Sequence, residues 1–442
     1  MFHAVDFRSQ LGARHERLFS QNYCSEVQPC RVATVVIGTL ILTQSEMLSS
    51  VSTARRKLDA WIKIRDYSGH EPYDLLNSPY LSGSWARSRP INVVLLQTGR
   101  RFAGGTIRRL LRVPPSKNPK ALGLLLSAYC DLARCGEDWE QEARYLKTEL
   151  IRLRSANEDS FCWGYDWDFF SWRGPSMVAF SPNSIATYFC GSALLDFAEV
   201  FGDGEAKKIA ESVGTFFIRR LNRSVDLENE VCFSYTPVNR TIIYNSSALV
   251  AAFLARLASL SANHEYLRLS RRAMNFLAAA QRADGSWAYG SKARQQWVDH
   301  FHTGYILCAL LDYMQLSGDH SHEAVLAKGY TFYKQMFFKP SGVAKYFNTT
   351  TYPIDVHSCS QAILTLCAFS RRDASAREEA LRTAVWTIQN MQSSEGYFFY
   401  QRHRLWTNRT PYMRWGQAWM LRALCRLESQ MHAHDQDQGP SQ

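Results

Sequence analysis

The sequence predicts an all-α fold, an (α/α)6 toroid of repeated helical hairpins, and three observations carry the prediction. A short aromatic motif recurs as NEDSFCWGYDW, ENEVCFSYTP, ADGSWAYG, PSGVAKYF and SSEGYFFYQ, with tyrosines at 165, 235, 289, 346 and 400. Helical apolar spacing flanks each copy, and a period of about 55 residues fits two helices plus two loops. Polar residues also recur at one register, just after each aromatic turn, where they open apolar segments.

The elements follow in order. Residues 1–46 do not resemble the rest, and Met47 is a plausible alternative start, so the domain is expected over 47–431. The apolar stretch 33–43 is too short to span a bilayer, and no integral membrane segment is expected. Segment 113–120 contains three prolines and reads as a connector. Helices are expected over 121–135, 139–155, 264–281, 303–317, 321–337, 358–370, 376–392 and 415–428. Breaks fall at 202–204, 317–318 and 371–373. Roughly twelve helices between 50 and 430 make six pairs, and inner helices rich in aromatic and small residues favour closure into a ring. The tail 432–442, HAHDQDQGPSQ, reads as disordered.

Composition narrows the function. Aromatic residues make up 13% of the chain, with 12 Trp, 21 Tyr and 24 Phe, a content suited to stacking on sugars or apolar ligands. The net charge of +11 comes without a dense Lys/Arg run or a nucleic-acid motif, so no nucleic-acid partner is expected. The 11 cysteines form no Cys-x-x-Cys pair and lie mostly in apolar helical stretches, which suggests reduced thiols and a cytoplasmic location.

Gln281-Arg-Ala-Asp284-Gly285-Ser-Trp287 resembles the Gln-x-x-x-Gly-x-Trp repeat of squalene/hopene cyclases, and Gln392-Ser-Ser-Glu395-Gly396-Tyr-Phe398 is a weaker copy. Trp297-Val-Asp299-His-Phe-His302-Thr-Gly304-Tyr305 resembles the histidine segment of protein prenyltransferase β subunits. The acid motif of the cyclases is missing, since Asp166-Trp-Asp168-Phe169 lacks an adjacent aspartate pair. Tyr244-Asn245-Ser246-Ser247 stands where the prenyltransferases have a zinc ligand pair. These resemblances therefore imply a terpenoid cyclase-like or six-hairpin glycosidase-like toroid and no isoprenoid chemistry.

The strings 66–79, 299–305, 352–358 and 411–419 resemble toroid proteins encoded with bacterial exopolysaccharide biosynthesis enzymes. That resemblance implies polysaccharide biosynthesis and association with assembly machinery. It adds Tyr73, Asp74, Asn77 and Gln417 to the ligand-binding candidates.

Asn245, His302, His357 and Arg414 share the polar register, with Asn183 one repeat earlier. If the inner helices run in one direction, their N-termini ring a single mouth. Helix N-termini carry free N–H groups and partial positive charge, so this mouth suits an anionic sugar. Arg414, Asn245 and His302 are candidates for holding a developing enolate, and Tyr305 and His357 for acid or base. Asp299 and Asp355 complete the catalytic set. Trp163, Trp297, Trp415 and Trp419 are candidates to stack on sugar faces, and Asp166 and Asp168 to accept from hydroxyls.

Each has a plainer reading: Asn183, Asn245 and His302 as helix caps, the tryptophans as repeat packing, Asp299 and Asp355 as positioning groups. A metal cluster of Asp299, His302, Asp355 and His357 lacks short ligand spacing, and no cofactor or metal is expected. Three functions remain open: an acidic-polysaccharide lyase or C5-epimerase, a glycoside hydrolase using paired aspartates, and a non-catalytic glycan-binding component.

Overall fold

The computed structural model describes residues 35–37, 40–81, 89–102, 104–170, 177–261 and 263–437. Fourteen helices are present among them: α1 Gln44–Lys63, α2 Arg89–Phe102, α3 Gly105–Leu110, α4 Pro119–Ala133, α5 Glu140–Arg152, α6 Ser184–Phe201, α7 Gly204–Arg219, α8 Tyr244–Leu260, α9 His264–Ala279, α10 His300–Ser317, α11 Glu323–Phe337, α12 Val356–Phe369, α13 Ala376–Met391 and α14 Trp419–Asp437.

Their apolar patterns sort them into two rings. The helices α4, α8 and α12 are buried almost all round, as a helix enclosed by neighbours must be. The helix α9 buries one stripe, including Tyr266, Leu269, Ala273 and Leu277, and leaves the opposite face wet. Contacts follow this division. The inner helices pack in the order α4, α6, α8, α10, α12, α14, and α14 returns to α4, closing the toroid. The outer helices α5, α7, α9, α11 and α13 each pair with the inner helix before them in sequence. The sixth outer position is filled from the other end of the chain: α1 packs on α14 and α13. Arg55 of α1 forms a buried ion pair with Glu428 of α14 at this seam.

The repeated turns lock neighbouring hairpins. Trp287 Nε1 donates to Leu277 O at 2.9 Å, and Gln281 Nε2 donates to Gly285 O and across to Val325 O of α11 at 2.9 Å. The later copy repeats the bond pattern: Gln392 Nε2 reaches Gly396 O and Ala54 O of α1. Gly396 has φ +103°, and a Cβ there would stand 2.5 Å from Lys57 O. Only glycine permits both the turn and this close docking on α1.

Several boundaries differ from expectation. Thr43 accepts from Glu46 N, and Glu46 reaches back to Thr43 N at 2.7 Å, so a capping box starts α1 at Gln44. The helix α14 continues to Asp437, which makes 432–437 helical rather than disordered. Residues 1–34 and 438–442, also covered by those expectations, lie outside the described residues. The expected connector 113–120 ends early, because Asn118 caps α4 and Pro119 occupies its first turn, where a missing N–H costs nothing. The described cysteines are all unpaired. Among the described residues one helix, α6, is long and apolar enough to cross a membrane, and it sits in the inner ring between α4 and α8.

Gly396→Ala is expected to cost about 2 kcal/mol or more in urea unfolding. Gly136→Ala, at φ +86° with no atom within 4 Å of the added methyl, is the control and should cost about half as much. Equal losses would show that docking on α1 contributes nothing.

Candidate active site

Four of the six inner helices, α4, α6, α10 and α12, begin at this rim with a side chain that accepts from a free N–H group. Asn118, Asn183, Asp299 and Asp355 accept from Ala121 N (3.2 Å), Ala186 N (2.8 Å), His302 N (3.0 Å) and His357 N (2.9 Å). First-turn residues then face the toroid axis: Lys120 of α4, Ile185 of α6, Asn245 of α8, Phe301 and His302 of α10, and His357 of α12. Arg414 and Trp415 join them from a π-helical turn, Met413–Ala418, that leads into α14. Such wide turns are frequent at functional sites. Together these groups line a cavity of about 570 Å³, within the range of small-molecule sites.

The walls are aromatic. Tyr165, Tyr235, Tyr289 and Tyr346 line the cavity, each the tyrosine of a repeated motif. The residue two before each tyrosine turns into the core instead: Trp163, Phe233, Trp287 and Ala344 are buried. Tyr165 stacks on Trp167 with ring centres 4.7 Å apart, and Tyr289 on Trp297 at 4.6 Å. Such flat, edge-polar faces suit the C–H faces and hydroxyl rims of a sugar ring.

Two proton-carrying arrangements meet on α10. The Asp299 carboxylate accepts from His302 Nδ1 at 2.7 Å and from Trp297 Nε1 at 3.0 Å. That bond turns His302 Nε2 away from Asp299, and the imidazole is 21% exposed. One turn on, Tyr305 Oη lies 2.6 Å from His357 Nε2. The approach is possible because Gly304 lets α10 come close to α12; a Cβ there would meet Gln361 Cγ and Thr365 Oγ1 at 2.7 Å. The ring centres of His302 and Tyr305 are 6.0 Å apart.

Burial sets the charge state of the second pair. His357 lies between Phe301 (4.4 Å) and Trp419 (4.6 Å), and its Nδ1 is buried without a hydrogen-bond partner. Burial, and after it the field of Arg414, holds its imidazole well below the usual range, so it is neutral. Burial also pushes the Tyr305 hydroxyl well above its ordinary value.

Arg414 and Glu71 form a buried ion pair, Nη2 to Oε2 at 3.0 Å, and Glu71 also accepts from Arg414 N at 2.8 Å. Burial pushes the Glu71 carboxyl up to about 8, against the attraction of Arg414. The guanidinium lies 4.8 Å from the ring centre of Trp167 and 5.1 Å from that of Tyr165.

Of the residues singled out from sequence, Tyr73, Asn245, Trp297, Asp299, His302, Tyr305, His357, Arg414 and Trp415 line the cavity. The others stand outside the cavity lining. Trp163 is core: its Nε1 donates to Leu150 O at 2.7 Å, the same helix-end bond that Trp287 makes. Asp74 is held by Arg108 at 2.8 Å and accepts from Glu71 N. Asn77 donates to Asp166 O, and Asp166 accepts from Ser116 and Asn118. Asp168 accepts from Ala179 N at 2.8 Å. Asn183 is a cap. Asp355 lies behind the lining and accepts from Trp415 Nε1 (3.0 Å) and Gln401 Nε2 (2.6 Å). Gln417 clamps both backbone groups of Phe398. Trp419 is buried and stacks on Tyr305 and His357 from below. Among the described residues no three His, Cys, Asp or Glu side chains gather as metal ligands would, and the proposed cluster of Asp299, His302, Asp355 and His357 is divided among the bonds above.

Sequence reasoning missed the motif tyrosines, Glu71 and Lys120. The tyrosines were visible as a repeat. Lys120 follows the cap Asn118 by two, as His357 follows Asp355, but the prolines around it mask the register.

No family model and no curated protein sequence matches the chain. Solved structures with a similar backbone include cellobiose 2-epimerase from Bacillus thermoamylovorans B4167, at TM-score 0.56 and 12% identity over 71% of this chain and 88% of that one. A family 76 glycoside hydrolase from a bovine Bacteroides thetaiotaomicron strain gives 0.58 and 12% over 89% and 78%. Unsaturated glucuronyl hydrolase from Streptococcus agalactiae gives 0.55 and 11% over 91% and 98%. The chain thus shares the (α/α)6 toroid fold of six-hairpin glycosidase-like proteins.

A neighbouring histidine makes acid sensitivity testable. His300 anchors the start of α10, with Nδ1 2.9 Å from Lys345 O and Nε2 2.6 Å from Tyr333 Oη. Burial lowers its imidazole to about 4. Below about pH 6.5 the unfolded chain takes up a proton that the native chain refuses, so stability is full above 6.5 and is lost as pH falls towards 4, by up to about 3 kcal/mol. His300→Gln should flatten the fall in urea midpoint between pH 6.5 and 4.5. An unchanged slope would contradict the neutral, anchored imidazole.

Proposed function

We propose that this chain is a carbohydrate-active enzyme that moves a proton on an acidic sugar held in the axial cavity, by lyase or C5-epimerase chemistry. The observation that carries the reading is the Tyr305–His357 contact, 2.6 Å long, set one helical turn from the Asp299-oriented His302 inside an aromatic, sugar-sized cavity. The shared toroid fold of sugar-processing proteins supports the substrate class, and the resemblance to exopolysaccharide toroids suggests a polymer or its precursor in cytoplasmic assembly.

The chemistry follows from the placement. His302 Nε2 serves as the base that takes the proton beside the sugar carboxylate, and Asp299 stabilises the imidazolium that forms. Charge then builds on the carboxylate as an enolate. Arg414 stabilises it, and Asn245 holds the neighbouring hydroxyls. With the His357 proton on Nε2, that N–H donates to Tyr305 Oη and the phenol proton faces the sugar. Tyr305 gives this proton to the departing glycosidic oxygen in a lyase, or to the other face of C5 in an epimerase. The His357 N–H then stabilises the phenolate.

The hydrolase reading needs two carboxylates about 5–9.5 Å apart across the scissile bond. Asp299 is the one carboxylate among the described cavity-lining residues, and its oxygens are engaged by His302 and Trp297. Asp166, Asp168 and Asp355 make their hydrogen bonds outside the cavity lining.

Two assays on uronate-containing polysaccharides test the proposal. A lyase raises the absorbance of an unsaturated uronate, and an epimerase carries solvent deuterium into C5. Either signal should fall at least about 100-fold in Tyr305→Phe and in His302→Gln, in line with losing one acid or base. Retained glycan binding without either signal would leave a binding component. Release of reducing ends without unsaturation would mean a hydrolase.

A further inference from the structure

Among the described residues that line the cavity, Lys120 is a cation-forming group that no carboxylate contacts. Lys120, in the first turn of α4, is 3% exposed and lines the cavity. Its Nζ lies 4.3 Å from the ring centre of Phe189, 5.1 Å from Trp419 and 5.5 Å from Tyr305. Among the described residues it makes no ion pair. The other charged groups here are matched: Arg414 by Glu71, and Asp299 by its bonds from His302 and Trp297.

Resting on the reading of an acidic sugar, we propose that Lys120 is the carboxylate anchor of the site, and that it takes up a proton as the anion binds. The geometry supplies both halves. Aromatic rings can hold an ammonium against their faces, but they do not replace its hydration. A carboxylate entering beside Nζ, in a site screened from water, restores the balance through a short charge-assisted hydrogen bond.

The titratable groups around Nζ agree. Burial, then Arg414, draws the amine well below its ordinary range, with Glu71 and Cys190 of α6 acting weakly the other way. Tyr305 and the neutral His357 complete the surroundings from α10 and α12. Burial with no carboxylate in contact therefore favours the uncharged amine in the empty site, and anion and proton binding are linked. The placement beside the Tyr305 ring also puts the sugar carboxylate next to the proton-transfer pair. That is where charge must be held when the adjacent C–H bond breaks.

Calorimetry on the full chain tests this, using glucuronate- and galacturonate-containing oligosaccharides and their carboxyl-reduced counterparts, titrated at pH 8 in buffers of different ionisation enthalpy. Wild type should prefer the acidic sugars at least 10-fold and take up at least half a proton per ligand bound. Lys120→Met should lose the preference and the uptake while binding the reduced sugars as before. Lys120→Arg, always charged, should keep the preference and lose the uptake. That last variant separates Lys120 from His357, which could also accept a proton.

Unchanged uptake in Lys120→Arg, or unchanged preference in Lys120→Met, overturns the proposal. So does wild-type binding of reduced sugars alone, which leaves sugar chemistry standing without an acid anchor. Lys120-dependent uptake without unsaturation or deuterium exchange supports the anchor and rejects the lyase or epimerase reading. No binding of any sugar rejects both.

Discussion

Six inner helices can surround an axis only if they start at the same level, and side-chain caps fix that level for four of them. A helix start without partners exposes free N–H groups that burial would make costly. Asn118, Asn183, Asp299 and Asp355 each accept from one of them within the rim, so the chain enters α4, α6, α10 and α12 at a fixed height and rotation. The first-turn side chains then face the axis, and groups hundreds of residues apart meet. Two caps also act on chemistry. Asp299 orients His302, and Asp355 holds Trp415 while capping the helix that carries His357.

Closure matters as much as capping. The seam between α1 and α14 joins the two ends of the described chain, with the Arg55–Glu428 pair and the bond from Gln392 to Ala54 O across it. Without that seam α14 would lose its outer partner, and the turn that carries Arg414 would lose its support. The cavity is therefore a property of the whole ring, and no single hairpin contains it.

Much of this was legible in sequence. The recurring tyrosine gave the period, and the period gave the hairpin count. Asn245, His302, His357 and Arg414 do converge on one cavity. Other features were hidden for physical reasons. A motif tryptophan looks the same whether it stacks on a ligand or seals a helix end, and only the matching place of Trp163 and Trp287, two before a tyrosine, told them apart. Asn183 shares a chemical type with Asn245 but stands at the cap, two residues earlier in the repeat. Lys120 was masked because Pro114, Pro115 and Pro119 read as a connector, although proline is at home in a first helical turn. Glu71 gave no signal, since its pairing with Arg414 spans 343 positions.

A ligand in the axial cavity would touch the first turns of several inner helices at once. The most direct measurement is photo-crosslinking of a diazirine-bearing uronate oligosaccharide, with the attachment sites read by mass spectrometry. Attachment should fall together on the segments around Lys120, Asn245, His302, His357 and Arg414, and excess unlabelled oligosaccharide should suppress it. Attachment confined to the outer helices, or spread without competition, would contradict a shared axial site.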